Sequence, residues 1–429
     1  MKTIHIDIER NGIMTSIGAI TGSDARDAVF TYDKTYLGRA DAVPVSISLP
    51  LTDKSFTAEA TENFFSGLLP EGFMRRSVAG YMGVKEDDYL SLLAALGDEC
   101  IGAIRVTTGE ERSGESGYVR LSEKEISDIA REGISVTTEF VAKSHLSLTG
   151  ASGKAGLYYD EKNGDWYLPV GDAPSTHIVK QSHVRLGAIV TNEQLCLRAA
   201  SLLGIETADS FIINRGKGTD GDVLFATRRY DRILSDEQQI DGLPKPLRLH
   251  QEDFAQALGI PAQRKYEQNG DNYLRRVCDV IRAHSMYPLE DMLKIWDITV
   301  FNYLVGNTDN HIKNISLLYT GGLNVVRLAP AYDIVSTAVY DSSTRDMSMS
   351  VDGKYSLDEI TKRSFINEAE IIGLGKGVAE DRLDRMCNGF EKAVSEAAYE
   401  LKAEGFFQAG EIKEKIIKNG GYAKITEEL

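Results

Sequence analysis

The sequence predicts an α+β protein with more than one domain. Three observations predict it: a length of 429 residues, a strand-leaning first hundred residues, and mostly helical periodicity beyond residue 250. The length exceeds one ordinary domain, and a hydrophobic share of 42% is enough for real cores. Disorder and a collagen-like repeat are excluded on the same count. The balance of 48 Lys+Arg against 64 Asp+Glu gives a net charge of -16, which argues against an autonomous nucleic-acid binder. The four cysteines, Cys100, Cys196, Cys278 and Cys387, form no CxxC pair. A zinc knuckle or local disulfide framework therefore has no support, and a reducing compartment is expected. The opening MKTIHIDIER lacks a cationic lead and an apolar run. No stretch reaches 18 uninterrupted apolar residues, so no membrane span is expected and the cytoplasm is the default.

The elements follow in order. Thr3–Ile8 alternates, and Pro44–Leu51 reads as a period-2 strand bounded by prolines. Helical patterns cover AEATENFFSGLL and EDDYLSLLAALG, the second stopped by Gly97. A strand over Ile101–Thr107 closes an α/β subdomain at residues 1–110. After the charged bridge GEERSGESG, a short helix is expected over Ser122–Arg131. Strands are expected at Leu146–Leu148, Lys154–Tyr159, Trp166–Leu168 and Thr176–Gln181, a helix over Thr191–Leu203, and a strand over Val223–Arg232. Residues 120–250 thus form a second region and 251–429 a helical one. Its clearest helix is Leu289–Val305, whose apolar positions repeat at three and four before Gly306 closes it. A charged helical stretch with a break or two is expected from Ile372 to Glu404.

The densest polar cluster is Gly306-Asn307-Thr308-Asp309-Asn310-His311-Ile312-Lys313-Asn314. Any Gly-Asn-Thr-Asp makes a capped turn, yet this one holds an acid, an imidazole, an ammonium and amides between two apolar elements. In a kinase catalytic loop an Asp takes the proton of the attacking hydroxyl, and an Asn five residues later helps hold Mg²⁺. Asp309 and Asn314 have that spacing. The second metal acid that the chemistry requires fits Asp333, after the strand-like Val325–Leu328, with a turn cap as the lesser alternative. Lys180 ends an apolar run as a phosphate-binding lysine would, although a lysine ending a strand is ordinarily just solvent-exposed. Gly150, Ala151, Ser152, Gly153 and Lys154 lie in a turn whose N–H groups suit a phosphate, though it is no Walker A loop and taken alone reads more readily as a hairpin turn. Glu193 either pairs with Lys180 or caps its helix. These pieces occur in kinase order along the chain.

With those residues in view, the sequence resembles the HipA-type serine/threonine kinases, toxins of bacterial type II toxin–antitoxin modules. The resemblance rests on Phe64–Gly72, Leu92–Gly97 with Cys100–Ala103, Ser147–Lys154, Thr176–Lys180, Asn192-Glu193 with Cys196, Tyr230-Asp231-Arg232, Gln251–Phe254, Lys265-Tyr266, GNTDNHIKN at 306–314 and Leu328–Ile334. It implies a protein-kinase-like, two-lobed fold with an N-terminal α/β subdomain and a largely helical C-terminal lobe. It further implies ATP and Mg²⁺ as cofactors. Asp309 would be the general base, Asn314 and Asp333 the metal ligands, and Lys180 the contact to the α/β phosphates. Lys154 and His311 would lie near the phosphates and Tyr332 beside the nucleotide. Ser147 occupies the place of an autophosphorylated serine. The expected partners are a helix-turn-helix HipB-like antitoxin, operator DNA through that antitoxin, and a protein substrate of the aminoacyl-tRNA synthetase class. Two departures stand out. Ser152-Gly153 replaces a family Gln-Glu and is expected to loosen the loop, and Arg228, two residues before Tyr230, replaces a Glu at the adenine edge. The alternatives are a small-molecule kinase on the same fold and a catalytically weak antitoxin-binding module.

Overall fold

The structure, a computed structural model, describes residues 2–109, 116–132, 153–182 and 186–427. Ser147, Gly150, Ala151, Ser152 and the strand expected at Leu146–Leu148 lie outside the described residues. The chain divides into two compact units: Met1–Gln181 with Ala226–Ala262 and Leu317–Val326, and Ser182–Phe225 with Gln263–Ser316 and Arg327–Leu429.

The first unit opens with an antiparallel sheet. Its strands β1 (Lys2–Arg10), β2 (Ile13–Gly22), β3 (Val29–Tyr32) and β4 (Ile104–Thr107) are ordered β3-β2-β1-β4. Ile4, Ile6 and Ile8 of β1 alternate into the core, as a half-buried strand requires. Against this sheet the helices Ala58–Phe65 and Tyr89–Leu96 bury Phe64, Phe65, Leu92 and Leu93. Thr57 and Asp88 cap them by accepting the N–H of Ala60 and Ser91.

Pro44–Leu51 is not the expected strand. It holds one isolated bridge, Ser46–Leu49, and otherwise bonds to side chains. The Tyr32 hydroxyl donates to the Leu49 carbonyl and accepts from Val45 N–H, and Glu252 takes the Ser46 hydroxyl and the Ile47 N–H. The prolines lack ladder donors, so the alternation records tertiary burial and not sheet pairing.

A second sheet carries β5 (Gly117–Arg120), β6 (Lys154–Asp160), β7 (Asp165–Val170) and β8 (His177–Gln181), in the order β5-β7-β6-β8. The helix Glu123–Glu132 follows β5. The chain then leaves for the second unit, where β9 (Ser210–Asn214) lies beside the start of β10 (Val223–Arg228). It re-enters the first unit at Ala226. The hairpin β11 (Arg232–Ile240) and β12 (Leu243–Arg248) comes next, then the sheet β13 (His250–Asp253), β14 (Ser316–Thr320), β15 (Val325–Leu328).

Two expected strands are cut short by one feature. Ile101–Thr107 becomes strand only from Ile104, and Val223–Arg232 breaks after Arg228. Between these ends lies a buried ionic cluster. The Glu99 carboxylate accepts from the Arg229, Arg232 and Arg248 guanidiniums at 2.9–3.1 Å, and from Ser175. Glu9 pairs with Arg248, and Asp231 pairs with Arg229 and Arg232. Three cations thus meet three anions, every one of them at most 2% exposed at the side chain. The backbone joins in, since Gly102 N–H donates to Asp231 and Cys100 and Gly102 carbonyls accept from the arginines. Those bonds replace ladder bonds and end both strands.

The second unit is built on helices. Pro288–Val305 starts with proline at its first turn and buries Ile295, Trp296, Val300, Phe301 and Leu304. Tyr273–His284 and Lys376–Ala403 pack on it, Phe365 of Lys362–Ile371 meets Trp296 and Tyr303, and Ile189–Leu202 packs on Lys376–Ala403. The break expected within 372–404 lies at its start: Ile372–Gly375 separates two helices, and Lys376–Ala403 then runs unbroken for 28 residues. A short hairpin, β16 (Asp346–Val351) and β17 (Lys354–Ser356), completes the unit with the helices Ala409–Asn419 and Gly421–Thr426. Among the described residues no helix is long and apolar enough to cross a membrane.

Candidate active site

The helix Pro288–Val305 delivers the polar loop. Gly306 closes it in the left-handed region at φ 71°, and a Cβ there would stand 2.6 Å from the Ala338 Cβ and 3.1 Å from the Gly420 Cα. Only glycine meets both demands. The next residues are held tightly. Asn307 N–H donates to the Asn302 carbonyl, and its side-chain amide donates to Asn302 Oδ1 at 2.7 Å. Thr308 N–H donates to Thr337 Oγ1 at 2.8 Å, while the Thr308 carbonyl accepts from Ser348 Oγ at 2.5 Å. Asn307, Thr308, Asn310, His311 and Lys313 are buried, whereas Asp309 is exposed. An acid on a fixed backbone and open to solvent can reach a substrate proton.

Asp309 and Asn314 are joined directly. The Asp309 N–H donates to Asn307 Oδ1 at 3.2 Å, and its carbonyl accepts from His311 N–H at 2.9 Å and from the Asn314 amide nitrogen at 3.0 Å. The use of that nitrogen turns the other end of the Asn314 side chain into an oxygen donor for a cation. Asp309 also accepts a hydrogen bond on Oδ1 from the Tyr266 hydroxyl at 2.8 Å. The Tyr266 ring stands edge-on to His311, centroids 5.3 Å apart.

Asp333 sits in the left-handed region at φ 55°. Its approach is anchored by a parallel bridge between Thr207 and Ala331, where Ala331 N–H donates to Glu206 and Ala208 N–H donates to Ala331. Tyr332 is fixed through its hydroxyl to Ser316 Oγ at 2.6 Å and to the Lys313 carbonyl at 3.0 Å. Beyond Asp333 the Ser336 hydroxyl donates to the Val305 carbonyl, and Thr337 Oγ1 and Ala338 N–H both donate to the Gly306 carbonyl. Asn192 brackets Ser336, accepting its N–H at 3.1 Å and donating to its carbonyl at 2.9 Å. The loop bearing Asp309 and the segment bearing Asp333 are therefore knitted into one polar frame.

Glu193, one residue on, is buried inside the helix Ile189–Leu202. It is not the cap: Ala188 holds that place and its N–H donates to both oxygens of Asp220.

The remaining expected residues lie in the first unit. Lys154 and Lys180 are exact register partners on β6 and β8, so both side chains leave the sheet on one face. Lys180 is buried and Lys154 half-buried. Gly153 is buried against the Gln181 side-chain amide, which a Cβ would force to swing aside, so the glycine marks a close approach at this end of the turn. Arg228 is half-exposed and pairs with Glu161, while Tyr230 donates its hydroxyl to Gln251. The backbone beside them is fixed, since Arg229 N–H donates to the Thr176 carbonyl at 2.9 Å.

Fold and sequence are similar to known proteins over nearly the whole chain. Residues 146–394 match the HipA-like C-terminal domain and residues 13–107 the HipA N-terminal domain. A Sinorhizobium fredii (strain NBRC 101917 / NGR234) protein, provisionally named kinase Y4mE, is 30% identical over 88% of this chain and 89% of its own. The serine/threonine-protein kinase toxin HipA of Shewanella oneidensis is 25% identical over 92% of this chain and 89% of its own. In the solved complex of the Shewanella oneidensis MR-1 toxin–antitoxin system, HipA with HipB and operator DNA, the matched chain superimposes with a TM-score of 0.79 at 22% identity. The match covers 98% of this chain and 97% of that one. The architecture is thus the two-lobed kinase fold of HipA, sheet-rich toward the N-terminus and helical toward the C-terminus. The chain belongs to the HipA family.

Sequence reasoning missed the supporting residues Asn302, Ser336, Thr337 and Ser348, and it quoted Tyr266 within the family resemblance without giving it a role.

Proposed function

We propose that this chain is an ATP-dependent serine/threonine protein kinase of the HipA toxin type. The observation that carries the reading is the frame joining the Asp309–Asn314 loop to the Asp333 segment. It offers one exposed acid on a fixed loop and two oxygen donors suited to a hard cation. In this reading Asp309 takes the proton of the substrate hydroxyl as its oxygen attacks the γ-phosphorus and ADP departs. The Asn314 amide oxygen and the Asp333 carboxylate would hold Mg²⁺. Among the described residues no group of three His, Cys, Asp or Glu is poised for a metal. Two protein oxygens suit Mg²⁺, which completes its shell with phosphate and water. Bound there, it would neutralise charge on the transferring phosphoryl group.

Lys180 and Lys154 would meet the phosphates, and their facing register puts both on one side of the sheet. His311 would lie near the phosphates and Tyr332 beside the nucleotide. The Arg228–Tyr230 backbone would line the adenine. The loop of Gly150, Ala151, Ser152 and Gly153 would cover the phosphates, with Ser147 as its autophosphorylation site. A phosphate on Ser147 adds close to two negative charges to a loop built to receive phosphate, which would switch the enzyme off. We further propose an aminoacyl-tRNA synthetase as the target, so that phosphorylation stalls translation and growth in the cytoplasm. A HipB-like antitoxin would be the partner, supplying the basic DNA-reading surface that a chain of charge -16 lacks.

Incubation of the purified chain with ATP and Mg²⁺, followed by peptide mass mapping, tests this. Phosphate on Ser147 in the wild type and none in Asp309→Gln is the expected result. A wild-type chain that neither binds ATP nor gains phosphate would overturn the proposal.

A further inference from the structure

Tyr266 lies 43 residues before Asp309 in the sequence, yet its hydroxyl is 2.8 Å from Asp309 Oδ1. The contact between two exposed side chains would ordinarily mean little. Here both ends are set by a rigid frame. Immediately before Tyr266, the Arg264 carbonyl accepts from the Tyr273 hydroxyl at 2.7 Å. Immediately after it, Glu267 makes five hydrogen bonds. Its N–H donates to the Ser348 carbonyl, Oε1 accepts from Ser350 Oγ and the Tyr355 hydroxyl, and Oε2 accepts from Tyr273 N–H and Ser350 N–H. The other end is held by the same strand, since Ser348 Oγ donates to the Thr308 carbonyl next to Asp309. Strand β16 thus fixes both the tyrosine and the acid. The Tyr266 ring is braced edge-on against His311, with the Lys265 ammonium 5.4 Å from its centroid.

We infer that Tyr266 is the positioning residue for Asp309. The phenol donates to Oδ1 and selects one orientation of the carboxylate. Oδ2 is then the oxygen that faces an incoming hydroxyl and receives its proton. The inference deepens the kinase reading and rests on it, because it takes Asp309 as the base.

The test is Tyr266→Phe, which keeps the ring against His311 and deletes only the O–H. Rates of phosphoryl transfer, resolved into kcat and the KM for ATP, and ATP affinity by calorimetry are compared with wild type. The kcat is expected to fall about tenfold, the scale of one hydrogen bond to a charged group, while KM and ATP affinity hold. An active wild type with an equally active Tyr266→Phe overturns the positioning role and leaves the kinase reading intact. A wild type that transfers no phosphate overturns the kinase reading, and the positioning role of Tyr266 with it.

Discussion

Removing the central carboxylate of the buried ionic cluster should unfold the first unit at much lower temperature. Glu99→Gln keeps the size and two polar atoms but leaves Arg229, Arg232 and Arg248 facing only Glu9 and Asp231, one cation in excess. Burial alone would push the Glu99 carboxyl up; the Arg232, Arg248 and Arg229 guanidiniums outweigh it and hold the group at about 2. The drop from an ordinary 4.5, at about 1.4 kcal/mol per pH unit, corresponds to about 3 kcal/mol. That agrees with the roughly 3–5 kcal/mol seen when one partner of a buried pair is deleted. For a unit of this size each kcal/mol moves the midpoint by about 2–4 °C, so a loss of roughly 6–20 °C is expected at pH 7. The sign in pH follows from the depressed value. The Glu99 contribution is full above about 4.5 and fades as pH falls toward 2, so wild type should lose this increment in acid and Glu99→Gln should not. Near-UV circular dichroism melts from pH 7 down to pH 3 measure both. Asp24→Asn, which removes an exposed pair with Arg26, is the control expected to melt like wild type. A Glu99→Gln chain that melts within about 2 °C of wild type at pH 7 would refute the reasoning.

Two further outcomes are expected. Gly306→Ala forces a Cβ against Ala338 at φ 71° and should cost about 1–3 kcal/mol, lowering the melting midpoint and abolishing phosphoryl transfer together. Burial pushes the Glu252 carboxyl up to about 7, against the opposing bonds from Ser46, Tyr319 and Ile47. A raised acid stabilises most below its ordinary 4.5 and loses that contribution as pH climbs through 7, so denaturant midpoints of wild type should fall between pH 5 and 8 while those of Glu252→Gln stay flatter.

The helix leading to Gly306 was legible because its apolar spacing, its proline start and its glycine stop all agree. The Asp309-x4-Asn314 spacing was legible because one short loop holds both residues and bonds them to each other. The misreadings share a different cause. Pro44–Leu51 alternates like a strand, but its hydrogen-bond partners, Tyr32 and Glu252, lie well away in sequence. The strand expected over Val223–Arg232 ends in the charged run Arg228–Arg232, yet Arg229, Asp231 and Arg232 are buried by partners contributed from Glu99 and its neighbours, and the strand breaks there. Charge pattern along one segment carries no trace of a counter-charge 130 residues away. The role of Tyr266 escaped for the same reason: the pair Lys265-Tyr266 stood out by resemblance, but nothing local marks the acid that the tyrosine touches.

The floor beneath the loop 306–314 also sets an order of assembly. Gly306 comes against Gly420, and Asn419 donates its amide to the Ala338 carbonyl above it. A ribosome that has just released residues 306–314 must add about 110 more before those supports exist, which at about 5–20 residues per second takes roughly 5–20 seconds. Until then the loop has its helix but not its floor. The segment that completes the frame of this loop is thus made about 110 residues after the loop itself, so the frame closes late and not together with its helix.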